Sequence, residues 1–278
     1  MFRSSNTTPA LSLMLGILIV SGTSAQESIF PDKALEKAVR KEVFAKRYNE
    51  EPITAEDVKN ISQVKGKGLG IKSLEGLEHC VAVQLIDLED NDIEDLTPLA
   101  NLRLLQSINL ADNRILSVKP LENLERVQYL ELSNNQVKNI DSLANMTNMR
   151  SLYLSNNRIK HVDVVLRMPK VWTLYIAENP VVIFEPIGHL KWLSSFDASD
   201  CNIKSVDFMK PLTELKYVNL QDNQIEDFSA LVDMAAGDEE QRFAQFWRLY
   251  VEGNPLGEKA EEQLAKLKEM GGRINPKN

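Results

Sequence analysis

"YLELSNNQV" at residues 129–137 returns as "SLYLSNNRI" at residues 151–159, and the step between the two phrases is 22 residues. The same phrase stands upstream as "LIDLEDNDI" (85–93) and "SINLADNRI" (107–115), and downstream as "TLYIAENPV" (173–181). Its asparagines, Asn91, Asn113, Asn135, Asn157 and Asn179, are evenly spaced, and two more steps reach Cys201 and Asn223. A last unit, "RLYVEGNPL", brings Asn254 after a longer spacing of 31. The apolar positions keep the same step: Val127, Leu130, Leu132, Val137 and Ile140 recur as Met149, Leu152, Leu154, Ile159 and Val162. Self-similarity at a fixed step of this length is the mark of stacked supersecondary units.

The pattern L-x-x-L-x-L-x-x-N-x-I resembles the leucine-rich repeat, and the resemblance covers residues 61–256. It implies an α/β solenoid, a leucine-rich repeat horseshoe with a parallel β-sheet on its concave face, a helical N-cap and a C-terminal helix. The physics is readable from one unit. A short strand with a returning segment cannot bury its own apolar face, so units stack into a continuous core. The Asn belongs inside, where its amide must satisfy backbone groups of adjacent turns. Cys201 fits a familiar Cys variant of that position.

The register also separates the two cysteines. Cys80 and Cys201 lie five repeats apart, and at about 4.8 Å per parallel strand their separation is roughly 24 Å. A disulfide tolerates only about 4.4–6.8 Å between Cα atoms. Two separate buried thiols are expected.

A stack of this kind needs capped ends. "DKALEKAVRKEVF" (32–44) puts Leu35, Val39 and Val43 on one helical face, and Thr54 with Asp57 forms a variant capping box. The run from Ile29 through "ITAEDVKNI", with the phrases "LEGLE" and "DLTPLANL", is similar to the helical cap and repeats of internalins, bacterial surface-exposed leucine-rich repeat proteins. No immunoglobulin-like segment or wall-sorting signal follows, so host-receptor adhesion is not carried over from that resemblance. "GEKAEEQLAKLKEMGG" reads as a closing helix with Ala260, Leu264 and Leu267 inward and Gly271 as its stop. Pro276 beyond it limits strand addition at the open edge. Asp238 with Gln241 suggests a capped helix in the insertion before Asn254. The expected organisation is a signal peptide over 1–25, an N-terminal cap over 26–60 and about eight repeats over 61–256, with an insertion near 232–245. A C-terminal cap over 257–278 completes it.

The leader has Arg3, an apolar run from Ala10 to Val20, and small residues Thr23 and Ala25 before the expected cleavage point. That run is too short to span a bilayer. A secreted or periplasmic protein with no membrane anchor after cleavage is expected. The formal charge is −8 over 278 residues, which argues against nucleic acid as a partner because phosphate backbones call for a basic face.

Side chains alternate along a strand, so the positions six, four and two before each Asn share the concave face. Five of the six tyrosines fall there: Tyr129, Tyr153, Tyr175, Tyr217 and Tyr250. Glu131 and Asp197 stand in the same columns, Arg150 and Trp172 stand just before their strands, and Trp247 is expected to lean over the same face. These ten residues are the candidate partner-binding set, since Tyr and Trp give large rigid contact area with a polar handle. The acids just before the repeat Asn read as turn chemistry. His79, His161 and His189 occupy unrelated repeat positions, and neither Cys has a nucleophile's surroundings. The expectation is therefore a non-enzymatic module without cofactor or metal that binds a protein or peptide. A glycan-binding module, and a regulatory subunit resembling protein phosphatase 1 regulators, are the rival readings.

Overall fold

The computed structural model describes Met1 and residues 27–239 and 247–276. The expected leader over 1–25 falls, Met1 apart, outside the described residues. Ten short strands form one parallel sheet in sequence order. They are β1 (Gln63–Lys65), β2 (Leu85–Asp87), β3 (Ser107–Asn109), β4 (Tyr129–Glu131) and β5 (Ser151–Tyr153), then β6 (Thr173–Tyr175), β7 (Ser195–Asp197), β8 (Tyr217–Asn219), β9 (Arg248–Tyr250) and β10 (Arg273–Ile274). From β1 to β8 each residue faces its counterpart one repeat on, as in Leu130↔Leu152 and Leu152↔Leu174. The sequence period has become the sheet register.

The central residue of each strand points into the core. Ile86, Ile108, Leu130, Leu152, Leu174, Phe196, Val218 and Leu249 form one fully buried column, each side chain contributing about 1.5–3 kcal/mol by leaving water. Returns between strands from β1 to β8 are single 3-10 turns such as Thr97–Leu99, Lys119–Leu121 and Glu185–His189. Proline sits in the first turn of all three, where a missing N–H costs no hydrogen bond.

At the N-terminal end α1 (Lys33–Arg40) buries Leu35 and Val39, and Val43 is buried just beyond it. The helix ends earlier than the sequence pattern suggests, giving way to a 3-10 turn at Phe44–Lys46. In α2 (Ala55–Val58) the Thr54–Asp57 capping box is formed. Gly76 has φ +98°, and a Cβ there would lie 2.6 Å from the Phe30 ring, so the cap closes on the first repeat only over glycine.

The C-terminal end holds two elements that the spacing does not announce. A helix, α3 (Ser229–Ala236), precedes Asp238, with Asp227 accepting from the Ser229 N–H at 2.8 Å, and closes at Gly237. Ala230, Leu231, Met234 and Ala235 supply its buried face. The capped helix expected from Asp238 with Gln241 falls on residues outside those described. In α4 (Glu258–Glu269) Ala260, Leu264 and Leu267 are buried as expected, but the chain then adds β10 to the sheet.

Inside the stack, Asn91, Asn113, Asn135, Asn157, Asn179 and Asn223 are buried. Asn113 shows the wiring: its amide donates to the carbonyls of Leu88, Leu110 and Ala111 and accepts from the Ile93 N–H. Cys201 interrupts this ladder. Its Sγ donates only to the Ile176 carbonyl at 3.2 Å, and the turn before it adapts. Val181 N–H takes the Asn179 carbonyl at 2.9 Å, and Pro180 has no N–H to place. Both cysteines are free and buried, as expected from their register. Burial pushes each thiol up to about 12. Cys201→Ala should cost only about 1 kcal/mol in denaturant unfolding, since a weak S–H bond and one sulfur's volume are lost. A loss above 3 kcal/mol would mean that the turn depends on the thiol.

Candidate partner-binding face

The outward side chains of the strands form three columns, and the tyrosines occupy two of them. Strand alternation sends Leu130, Leu152 and Leu174 inward and leaves Tyr129, Tyr153 and Tyr175 half-buried on the open face. Register sets Tyr153 directly opposite Tyr175 and Tyr129 opposite Ser151. The rings then meet in a continuous series. Tyr129 and Tyr153 lie 5.4 Å apart, Tyr153 and Tyr175 5.1 Å apart edge to face, Tyr175 and Tyr217 6.1 Å apart, and Tyr217 and Tyr250 5.4 Å apart. Aromatic pairs at these separations and tilts are mutually attractive. One band of five rings thus crosses the sheet from β4 to β9. It passes β7 because Tyr175 leans across Ser195, with their hydroxyls 2.9 Å apart.

Acidic side chains flank the band and are held in different ways. Asp197 accepts from the Ser199 N–H and hydroxyl and from the Asn219 amide. Glu89 is paired with Lys67 at 2.6 Å and takes the Asn109 amide. Glu131 has hydrogen bonds from Ser133 alone. Burial, reinforced by Glu89 and Asp112, pushes its carboxyl above the ordinary range despite those bonds. Burial also pushes the Tyr129 and Tyr217 hydroxyls up to about 12, so both stay protonated hydrogen-bond donors near neutral pH.

Arg150 and Trp172 stand at one margin of the band, with the guanidinium 5.4 Å from the indole ring, and Trp172 is 52% exposed. Trp247 is a correction. It is fully buried and offers nothing to this face. It shares the alternation of Leu249, whose side chain is also fully buried. Reading by columns also passes over Trp192, 63% exposed three residues ahead of β7, because a residue in the return segment belongs to none of them.

The acids before the repeat Asn adopt the left-handed conformation, with φ of 59° at Asp90, 55° at Asp112, 49° at Asp200 and 55° at Asp222, a tolerance Asp owes to its short polar side chain. Among the described residues no group of three His, Cys, Asp or Glu side chains is placed to hold a metal ion. No helix of the described residues is long and apolar enough to cross a membrane.

A family model for leucine-rich repeats, two copies, matches residues 125–166. A comparison with curated proteins finds no match. Among solved structures, internalin C2 of Listeria monocytogenes is 30% identical, with a TM-score of 0.70 over 74% of this chain and 91% of that one. The functional domain of InlJ from the same organism superposes with a TM-score of 0.69 at 18% identity, over 86% of this chain and 55% of that one. The leucine-rich repeat ectodomain of the receptor kinase GASSHO1/SCHENGEN3 from Arabidopsis thaliana was solved in complex with Casparian strip integrity factor 2. It gives a TM-score of 0.58 at 22% identity, over 71% of this chain and 25% of that one. The last two likenesses are of fold.

Proposed function

The chain belongs to the internalin-like leucine-rich repeat family, and from that premise we propose that it is a secreted or periplasmic module that binds a protein or peptide across its tyrosine band. Leucine-rich repeat domains bind protein partners, as the plant ectodomain solved with its factor illustrates. The observation that favours the band as the site is its continuity: five half-buried rings, each in contact with the next, along one sheet face. Such rings are rigid, lose little rotamer freedom on contact, and recur as binding anchors. Strand preference alone is met as well by Val, Ile and Thr.

The tilts of the rings favour a protein over a sugar. Tyr129 and Tyr153 are inclined by 49°, and Tyr153 and Tyr175 by 85°. A flat platform for a pyranose ring calls for coplanar faces, whereas tilted rings leave clefts for side chains. Secretion rests on the three-part leader, and cleavage before Gln26, read by mass, tests it.

Tyr153→Ser with Tyr175→Ser should weaken capture of an extracellular protein partner by about 100-fold, the scale of hot-spot losses. The lost ring contacts cost on the order of 2 kcal/mol of stability, so binding is read on the folded fraction. Crosslinking capture from the native compartment, beside a polysaccharide array, provides the measurement. Undiminished capture by the double variant, or retention of polysaccharides alone, would overturn the reading.

A further inference from the structure

Resting on the reading of the tyrosine band as the binding face, we infer that the partner presents a cationic side chain, arginine or lysine, to a seat formed by Tyr129, Tyr153 and Glu131. Register builds the seat. Glu131 of β4 stands directly opposite Tyr153 of β5, and Tyr129 projects from the same side of β4 two residues earlier. The two rings lie 5.4 Å apart and inclined by 49°, on the same sheet face as the carboxylate.

On this face Glu89 has a cation, Lys67, whereas Asp197 and Glu131 are held by neutral donors, Asp197 by Ser199 and Asn219 and Glu131 by Ser133. Glu131 stands beside Tyr129 and opposite Tyr153. Among the described residues no cation pairs with Glu131, whose bonds come from Ser133. The guanidinium of Arg150, ahead of β5, lies over the Trp172 ring. Glu89 and Asp112 add negative potential at the same place, and burial raises the Glu131 carboxyl further. A partner cation seated between Tyr129, Tyr153 and Glu131 would meet rings and a carboxylate together, which is the combination that binds desolvated ammonium and guanidinium groups. The formal charge of −8 steers such a partner toward the molecule. An anionic partner would instead be repelled there by Glu131, Glu89 and Asp112.

Octa-arginine and octa-glutamate peptides serve as probes, titrated calorimetrically against the whole protein and two variants. Glu131→Gln and Glu252→Gln change net charge equally, and Glu252 is an exposed acid at the far end of the same face. Octa-arginine should bind and octa-glutamate should not. Glu131→Gln should weaken octa-arginine at least about tenfold while Glu252→Gln changes it less than about twofold. Equal losses in the two variants would mean diffuse attraction and would overturn the seat, as would preference for octa-glutamate. The two levels of the proposal separate cleanly. If Tyr153→Ser with Tyr175→Ser abolishes partner capture but Glu131→Gln leaves it intact, the face is the site and the cationic partner is wrong. If capture ignores the tyrosines, the face itself is not the site.

Discussion

Asn157→Ala is expected to lower the unfolding free energy by about 3–5 kcal/mol, several times the cost of Cys201→Ala at the matching repeat position. The difference follows from wiring. Asn157 donates to the carbonyls of Leu132 at 2.9 Å, Leu154 at 3.0 Å and Ser155 at 3.2 Å, and its Oδ1 accepts from the Val137 N–H at 2.9 Å. Two of these partners belong to the preceding repeat, so one amide ties two turns together. Alanine leaves Val137 N–H without its acceptor in a dry interior where water cannot enter as a substitute. Asn157→Asp is the sharper control, since it keeps the size but points an oxygen, in place of two N–H protons, at carbonyl oxygens. It should be at least as damaging as alanine near neutral pH. Denaturant unfolding of the two variants beside Cys201→Ala decides the matter. Comparable small losses in all three would mean that the ladder contributes little and the stack holds by apolar burial alone.

The repeat was legible because a single physical demand writes it into the chain. A buried column and a buried amide must recur once per turn, so Leu130, Leu152, Asn135 and Asn157 can be placed without coordinates. Inward and outward faces follow from alternation, and with them the two columns that hold the tyrosines. What spacing does not encode is the direction in which a ring leans. Tyr175 bypasses Ser195 to reach Tyr217, and that choice depends on a rotamer and a small neighbour. Trp247 shows the same limit from the other side, because its repeat position matches that of Trp172 and yet its indole is fully buried. β10 was hidden for a different reason. Its attachment uses main-chain bonds from Arg273 N–H to the Trp247 carbonyl and from Asn275 N–H to the Leu249 carbonyl, and two residues of strand leave no periodicity to read. Glu131 was visible as a member of a column, but that no cation among the described residues pairs with it only emerges when Lys67 is seen committed to Glu89.

Asp32→Ala should cost about 2–4 kcal/mol, the sum of a lost helix cap and two further charge-assisted bonds. One carboxylate oxygen accepts from the N–H groups of Ala34 and Leu35 at the start of α1, and the other from those of Lys72 and Ser73 ahead of the first return. Asp32 therefore fastens the N-terminal cap to the repeats across a sequence separation of 40 residues. Burial tends to raise its carboxyl, but the four N–H donors outweigh burial and hold it below the ordinary carboxylate value. The sign of the pH effect follows. A carboxyl depressed in the folded state contributes stability that is present above its unfolded value, about 3.9, and is lost as pH falls through the folded value. Asp32→Asn keeps an acceptor for one pair of N–H groups but carries no charge, so it should cost about half as much as alanine near neutral pH. The gap between wild type and Asp32→Asn should then narrow as the pH is lowered below about 4. Denaturant midpoints of the three proteins across that range give the measurement. A gap that stays constant down to about pH 2 would show that the ionised carboxylate is not what holds the cap to the stack, and would shift that role to the apolar contacts of Phe30, Leu35 and Val39.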